Sequence, residues 1–282
     1  MQYTEVLFID CPQEQKDLLI ALLSENGFNG FEEEEENLKA YIDRTAFDED
    51  VFLYETLKEV EDVRCLISVI DEINWNAKWE ADFEPVAVSH PMTGEPFAFI
   101  RANFHQPDPA YQYDIIVTPK MSFGTGHHAT TYLMVSQMAT LDLTGKKVID
   151  FGTGTGILSI LAEKMGAEKV TAIDCDDWSI DNAKENFSVN GCMRTEIIKG
   201  EAIPENTKAT IILANINLNI LVDNMEAINA AASPGAAILF SGVMLHDEEH
   251  IVHKIKGTGM IITAIHKREN WLAIEATVVN KI

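Results

Sequence analysis

Residues able to do chemistry gather at a few points of this chain. In Val148-Ile-Asp-Phe-Gly-Thr-Gly-Thr-Gly-Ile-Leu158 an apolar run enters an acid, Asp150, and then glycines at alternate positions, Gly152, Gly154 and Gly156. Glycine reaches the left-handed backbone that a tight turn needs and lets a ligand approach the main chain. This spacing therefore predicts a nucleotide-binding strand-turn-helix. Asp174 ends the next apolar run, Lys169-Val-Thr-Ala-Ile173, 22 positions beyond Gly152. One carboxylate placed there can accept both ribose hydroxyls of a nucleotide. Upstream, Met121-Ser-Phe-Gly-Thr-Gly-His-His-Ala-Thr-Thr131 sets Gly124 and Gly126 beside small hydroxyls, a backbone-lined loop fit for a polar ligand. Thr130 or Thr131 is placed to cap the helix that follows. Downstream, the buried-looking strand Ala209-Thr-Ile-Ile-Leu-Ala-Asn215 ends in a carboxamide, and ligands of parallel sheets bind at such strand ends. A helix cap is the competing use of Asn215.

Turn and acid alone would suit NAD as well. Dinucleotide sites favour G-x-G-x-x-G, however, and the position of the third glycine holds Ile157. The D-x-G-x-G-x-G pattern found here resembles the first motif of S-adenosylmethionine-dependent methyltransferases with the Rossmann-like fold. On that reading Asp150 orders the loop or reaches the methionine amino group, the glycine backbone packs against the cofactor, and Asp174 holds the ribose. No metal is expected. Adjacent residues such as His127 and His128 do not point to one side, and the acids around His246, His250 and His253 suit an exposed surface.

The elements that must position these residues can be read from periodicity. Residues 1–71 give strand, helix, two short strands, helix and strand: Tyr3–Asp10, Pro12–Ser24 with Leu18, Leu19, Leu22 and Leu23 inward, Phe28–Glu33, Leu38–Ile42, Asp48–Val60 with Val51, Phe52, Leu57 and Val60 inward, and Val63–Ile70. That order is the split unit of a small α+β ferredoxin-like domain, without a catalytic cluster of its own. Residues 72–84, with Trp75 and Trp79 four apart, predict a helical linker. Residues 85–282 predict an α/β catalytic domain: strands at Tyr113–Val117, Val148–Phe151, Lys169–Ile173, Thr195–Lys199, Ala209–Asn215 and Ala236–Ser241. A hairpin, Ile261–Lys267 and Trp271–Val279, closes it. The sheet is doubly wound and mostly parallel, with a terminal antiparallel hairpin.

Composition narrows the class. The 282 residues are 46% hydrophobic and 23% charged, enough to bury one large or two ordinary cores, and two domains are expected. No apolar run reaches the roughly 20 residues a membrane helix needs, and the amino terminus lacks the basic start of a signal peptide. A cytoplasmic protein without membrane contact is expected, with a monomer as its state. Cys11, Cys65, Cys175 and Cys192 are scattered without a C-x-x-C pair, which argues against disulfides and zinc. The net charge is −24, and residues 1–75 carry 20 acids against 5 bases, so −15 of it sits there. Such a field repels phosphate backbones and steers basic partners, so direct nucleic-acid binding is not expected, and the charge serves either a basic protein partner or simple solubility.

The combination of Phe123-Gly-Thr-Gly-His-His-Ala-Thr-Thr131, Leu143-Thr-Gly-Lys-Lys-Val-Ile-Asp-Phe-Gly152 and Ala214-Asn-Ile216 resembles the PrmA family, the bacterial ribosomal protein L11 methyltransferases. The resemblance covers nearly the whole chain, including the order of small domain, linker and catalytic domain. It departs from the family's F-G-T-G-T-H-P-T-T at His127 and Ala129, and Asn217-Leu-Asn219 is more polar than usual. The resemblance implies transfer of methyl groups from S-adenosylmethionine to lysine side chains and the amino-terminal α-amine of that basic ribosomal protein. It further implies Thr131, Gly152, Asp174 and Asn215 as cofactor-binding residues, joined by Phe123, Gly124, Thr125, Gly126, Asp150 and Gly154. Asn215 is also the candidate to position the acceptor amine. Another protein or a small molecule is the alternative acceptor.

Overall fold

A computed structural model describes residues 2–28, 30–34, 36–53, 57, 60, 63–71, 83–118 and 126–278. Trp75, Trp79 and residues 119–125, among them Phe123, Gly124 and Thr125, lie outside the described residues. Backbone contacts divide the chain into two compact units, residues 1–77 and 78–282.

In the first unit, strands β1 (Gln2–Ile9), β2 (Gly30–Glu33), β3 (Leu38–Asp43) and β4 (Arg64–Asp71) form one antiparallel sheet in the order β2-β3-β1-β4. That order interleaves β1 and β2 with β3 and β4, as the ferredoxin-like reading requires; of the helix expected over Asp48–Val60, Glu49–Val51 is helical and residues 54–56, 58 and 59 lie outside the described residues. Helix α1 (Gln13–Glu25) buries Leu19 and Leu23, with Lys16 beneath them and Ile20 packed alongside. The stripe therefore runs i, i+3, i+4, i+7 from residue 16, and Leu18, expected inside, is 52% exposed because it sits a further 100° round the helix. Val51 is likewise outside, whereas Phe52 is buried against Phe8, Phe28 and Phe47. The acidic run is the connection between β2 and β3, where Lys39 reaches both Glu32 and Glu34 and Gln13 donates to Glu33.

In the second unit, β5 (Val86–Ser89), β6 (Pro96–Ala102) and β7 (Tyr113–Val117) make a small sheet. Phe83 and Glu84, read as the end of a helical linker, are not helical; Phe83 is buried with its ring edge-on to His127. The large sheet comprises β8 (Lys147–Phe151), β9 (Lys169–Asp174), β10 (Thr195–Lys199), β11 (Ala209–Asn215), β12 (Ala232–Met244), β13 (Met260–Arg268) and β14 (Trp271–Val278). Its order is β10-β9-β8-β11-β12-β14-β13. The first five strands are parallel, and β14 enters antiparallel between β12 and β13. This is the Rossmann-like arrangement of class I methyltransferases.

Among the described residues the α-helices of this unit are α2 (Ala129–Met138), α3 (Ile157–Lys164), α4 (Asp177–Val189), α5 (Leu218–Ala231) and α6 (Glu248–Gly257). Two apolar cores lie on the two faces of the sheet, one built around Met134, Ile157 and Leu161 and the other around Ile212, Leu221 and Phe240. Strand β12 begins four residues before the expected Ala236. Ala209 pairs with Ala232 but Ile211 with Ala237, so Ser233-Pro-Gly235 bulges out of a ladder that runs past it.

Candidate active site

The strand order reverses between β8 and β11, and ligands of open parallel sheets sit at the carboxyl ends of strands at such a switch point. A cleft of about 650 Å³ lies there. Its floor is the glycine turn. Gly152, Gly154 and Gly156 have φ of +76°, +55° and +82°, a region open to glycine and strained for other residues. Gly152 and Thr153 both donate backbone N–H to Ile173 O, which holds the turn against the end of β9. A Cβ on Gly156 would stand 2.5 Å from Phe187 Cε1, so this glycine lets α4 pack closely on the turn.

Asp150 lies beneath the turn, fully buried. Its Oδ2 accepts from Thr153 Oγ1 (2.6 Å) and Ser159 Oγ (2.7 Å), which ties strand, turn and helix together. Of the two uses expected for it, the ordering of the loop is therefore built in the structure. Its other oxygen has no hydrogen-bond partner. Burial drives the carboxyl up from 3.8 to about 6, against the lowering effect of the two hydroxyl bonds. Asp174 lines the cleft; its Oδ2 accepts from Gly154 N (2.8 Å) and its Oδ1 from Asp176 N (3.1 Å). Each oxygen keeps a lone pair for a further donor.

Thr131 stands in the first turn of α2, 1% exposed. Neither it nor Thr130 caps that helix. The cap is His128, whose Nδ1 accepts from Thr130 N and bonds Thr130 Oγ1. A residue outside the helix is better placed to reach the free N–H groups of the first turn than one already inside it. Thr131 is thereby left to face Asn215, whose Nδ2 donates to Thr131 Oγ1 at 3.4 Å. Asn215 does not cap α5 either; Asn217 does, accepting from Ile220 N at 3.1 Å. Asn215 Oδ1 is consequently a buried acceptor without a partner at the end of β11.

The structure brings Gly152, Gly154, Asp174 and Asn215 to one cleft, with Thr131 in a small side cavity shared with Gly152 and Asn215. Asp150 supports it from below. Gly126, with φ +97°, packs toward Val86 and Ile100 and is not among the lining residues. His127 and His128 go to different neighbours, Glu84 O and the Trp271 ring. Among the described residues no group of His, Cys, Asp and Glu side chains gathers for a metal ion, and no helix is long and apolar enough to cross a membrane.

Other residues that line the cleft carry no site signal in the sequence: Glu201 after β10, Gly242 in β12 and Trp271 at the start of β14, joined by Ile216 of the Ala214-Asn-Ile216 motif. A Cβ on Gly242 would stand 2.2 Å from Ile216 O, so this glycine is required by a neighbour distant in sequence. Its only sequence signal is a glycine near the end of a strand.

The donor set fits S-adenosylmethionine. Asp174 offers oxygen acceptors at the end of the second strand, Asn215 offers an unmatched buried acceptor, and the cleft is large enough for the nucleoside and its methionine arm.

Comparison with known proteins gives the same answer from another direction. The family model described as ribosomal protein L11 methyltransferase (PrmA) matches residues 7–278. A ribosomal protein L11 methyltransferase of Phocaeicola vulgatus is 37% identical over 288 residues, covering 98% of this chain and 99% of its own. One of Chlorobaculum tepidum is 38% identical over 275 residues, covering 91% and 90%. The crystal structure of a ribosomal protein L11 methylase from Lactobacillus delbrueckii subsp. bulgaricus superposes with a TM-score of 0.62 at 25% identity, over 69% of this chain and 99% of that one. Fold, cleft and near full-length match agree: the chain belongs to the ribosomal protein L11 methyltransferase (PrmA) family, whose methyl donor is S-adenosylmethionine.

Proposed function

We propose that the protein transfers methyl groups from S-adenosylmethionine to lysine side-chain amines and the amino-terminal α-amine of ribosomal protein L11. The observation that carries this reading is Asn215 Oδ1, a buried acceptor without a donor in a cleft that Gly152 and Asp174 also line. When bound, S-adenosylmethionine supplies a methyl group on a cationic sulfur. Asp174 is the acceptor for the ribose hydroxyls, the backbone of Gly152 and Gly154 the floor, and Asn215 a wall that Thr131 backs from the side cavity. Asn215 has a second part: its Oδ1 accepts an N–H of the acceptor amine and so aims the nitrogen lone pair, while Nδ2 stays anchored on Thr131. Holding two reactants in line is worth about 7 kcal/mol or more of barrier, so positioning supplies most of the rate. The amine must arrive neutral, and removal from water favours that form. No side chain of the site is assigned as a general base.

Residues 1–71 are the substrate-recognition domain in this reading, carried by the linker at 72–84 ahead of the catalytic domain at 85–282. The concentration of acid in residues 1–75 supports it, because a ribosomal protein is basic. The enzyme acts as a cytoplasmic monomer that meets its protein substrate directly, without nucleic acid or membrane. Incubation with methyl-labelled S-adenosylmethionine and a total mixture of ribosomal proteins tests the assignment. Label in the L11 band is the expected result; label confined to other proteins refutes the choice of substrate.

A further inference from the structure

One face of α4 carries Asn182 and Asn186, the cap residue Asn190 follows at the same four-residue spacing, and the last two do the work of a β-strand. Strand β7 is an edge of the small sheet. An edge strand presents N–H and C=O groups that need partners. Ile116 N–H donates to Asn190 Oδ1 (3.0 Å), and Ile116 O accepts from Asn190 Nδ2 (2.6 Å). One position further out on the same edge, Thr118 N–H donates to Asn186 Oδ1 (2.8 Å). A carboxamide has the donor and acceptor of a peptide group, so two side chains replace a neighbouring strand.

Asn186 differs from Asn190 in one respect. Its Nδ2 donates to Thr155 O (2.8 Å), inside the glycine turn that floors the cleft, and the side chain is fully buried. Asn190 Nδ2 goes instead to Ile116 O and to Asn186 O of its own helix. Asn186 therefore joins three parts: the end of β7, the glycine turn and the helix that follows Asp174.

We propose that Asn186 is a positioning residue for the methyl donor, setting the glycine turn against β7, whereas Asn190 only closes the sheet edge. The proposal rests on the donor assigned above. It is tested by titrating S-adenosylmethionine into the full chain in a calorimeter, for wild type, Asn186→Ser and Asn190→Ser. Both variants should melt lower, since each loses two hydrogen bonds to β7 or the turn. Asn186→Ser should raise the donor Kd about tenfold, and Asn190→Ser should leave it within about twofold. In methyl transfer, Asn186→Ser should raise the donor KM by a similar factor with kcat at saturating donor within about twofold. Equal donor affinity in the two variants, or a wild-type Kd in Asn186→Ser, overturns the proposal. A wild-type chain that does not bind the donor at all refutes the donor assignment instead. Should Asn186→Ser fail to fold, amide exchange of the wild type decides: donor binding should slow exchange at Thr118 about tenfold, and an unchanged rate there overturns the coupling.

Discussion

A Cβ on Gly152 would lie 2.0 Å from Cγ2 of Ile216, so the first glycine of the turn is held open for the residue after Asn215 and not only for a ligand. The turn after β8 and the exit from β11 are thus fitted to each other across the switch point, and Gly242 presses on the same residue through its main chain. Gly152→Ala should cost both packing and backbone strain, since φ is +76°. The expected loss is about 1–3 kcal/mol of stability, together with weaker donor binding. Thermal melting with and without S-adenosylmethionine measures both. A variant as stable as wild type would show that Ile216 moves away at no cost.

Asp150 predicts a pH dependence of stability. Its carboxyl titrates at about 6 in the folded chain, raised by burial, against 3.8 ordinarily. The folded state then binds a proton more tightly than the unfolded state, and this group's contribution falls as pH rises from about 4 to about 6. A shift of that size corresponds to about 3 kcal/mol. Asp150→Asn should flatten the melting temperature across that window, with Thr153 and Ser159 hydroxyls turning to suit the amide. An unchanged slope in the variant would assign the dependence to another group.

Asp174→Ala should weaken donor binding by roughly 1.5–3 kcal/mol, the range for charge-assisted hydrogen bonds. It should also lower stability slightly, because Gly154 N and Asp176 N lose their acceptor. Calorimetric titration separates the two effects. An unaltered affinity rejects the ribose assignment.

If the acidic unit grips its substrate through charge, salt should weaken substrate binding and spare the donor. Between about 0.05 and 0.5 M salt, KM for L11 should rise about tenfold while KM for S-adenosylmethionine stays within about twofold. A salt-independent KM for L11 would leave the acidic composition to solubility alone.

How much of this was legible in the sequence follows from the range of the forces involved. The glycine turn, Asp174 and the strand ending at Asn215 were readable because backbone conformation and apolar periodicity are local. Caps were read less well. His128 and Asn217 cap the helices for which Thr130 or Thr131 and Asn215 are candidates by residue type, and the choice depends on which residue stands just outside the first helical turn. Leu18 was misplaced because three neighbouring leucines mark a face only to within one residue, and the buried stem of Lys16 completes the true stripe. Gly242, Trp271 and the Asn186 bridge were invisible, since their partners lie 26, 143 and 31 residues or more away in the chain and only the folded sheet brings them together. Sequence pattern gave the cleft its floor, and tertiary contacts supplied its walls.

Methyl transfer to ribosomal protein L11 is read most simply from its intact mass after incubation with the enzyme and S-adenosylmethionine, set beside the same reaction with Asn215→Ala. Stepwise addition of methyl groups is expected, mapped by peptide sequencing to lysines and the amino-terminal amine, with a rate about 10²-fold lower for Asn215→Ala. An L11 mass that stays unchanged beside a wild-type enzyme shown to bind the donor would contradict the proposed function.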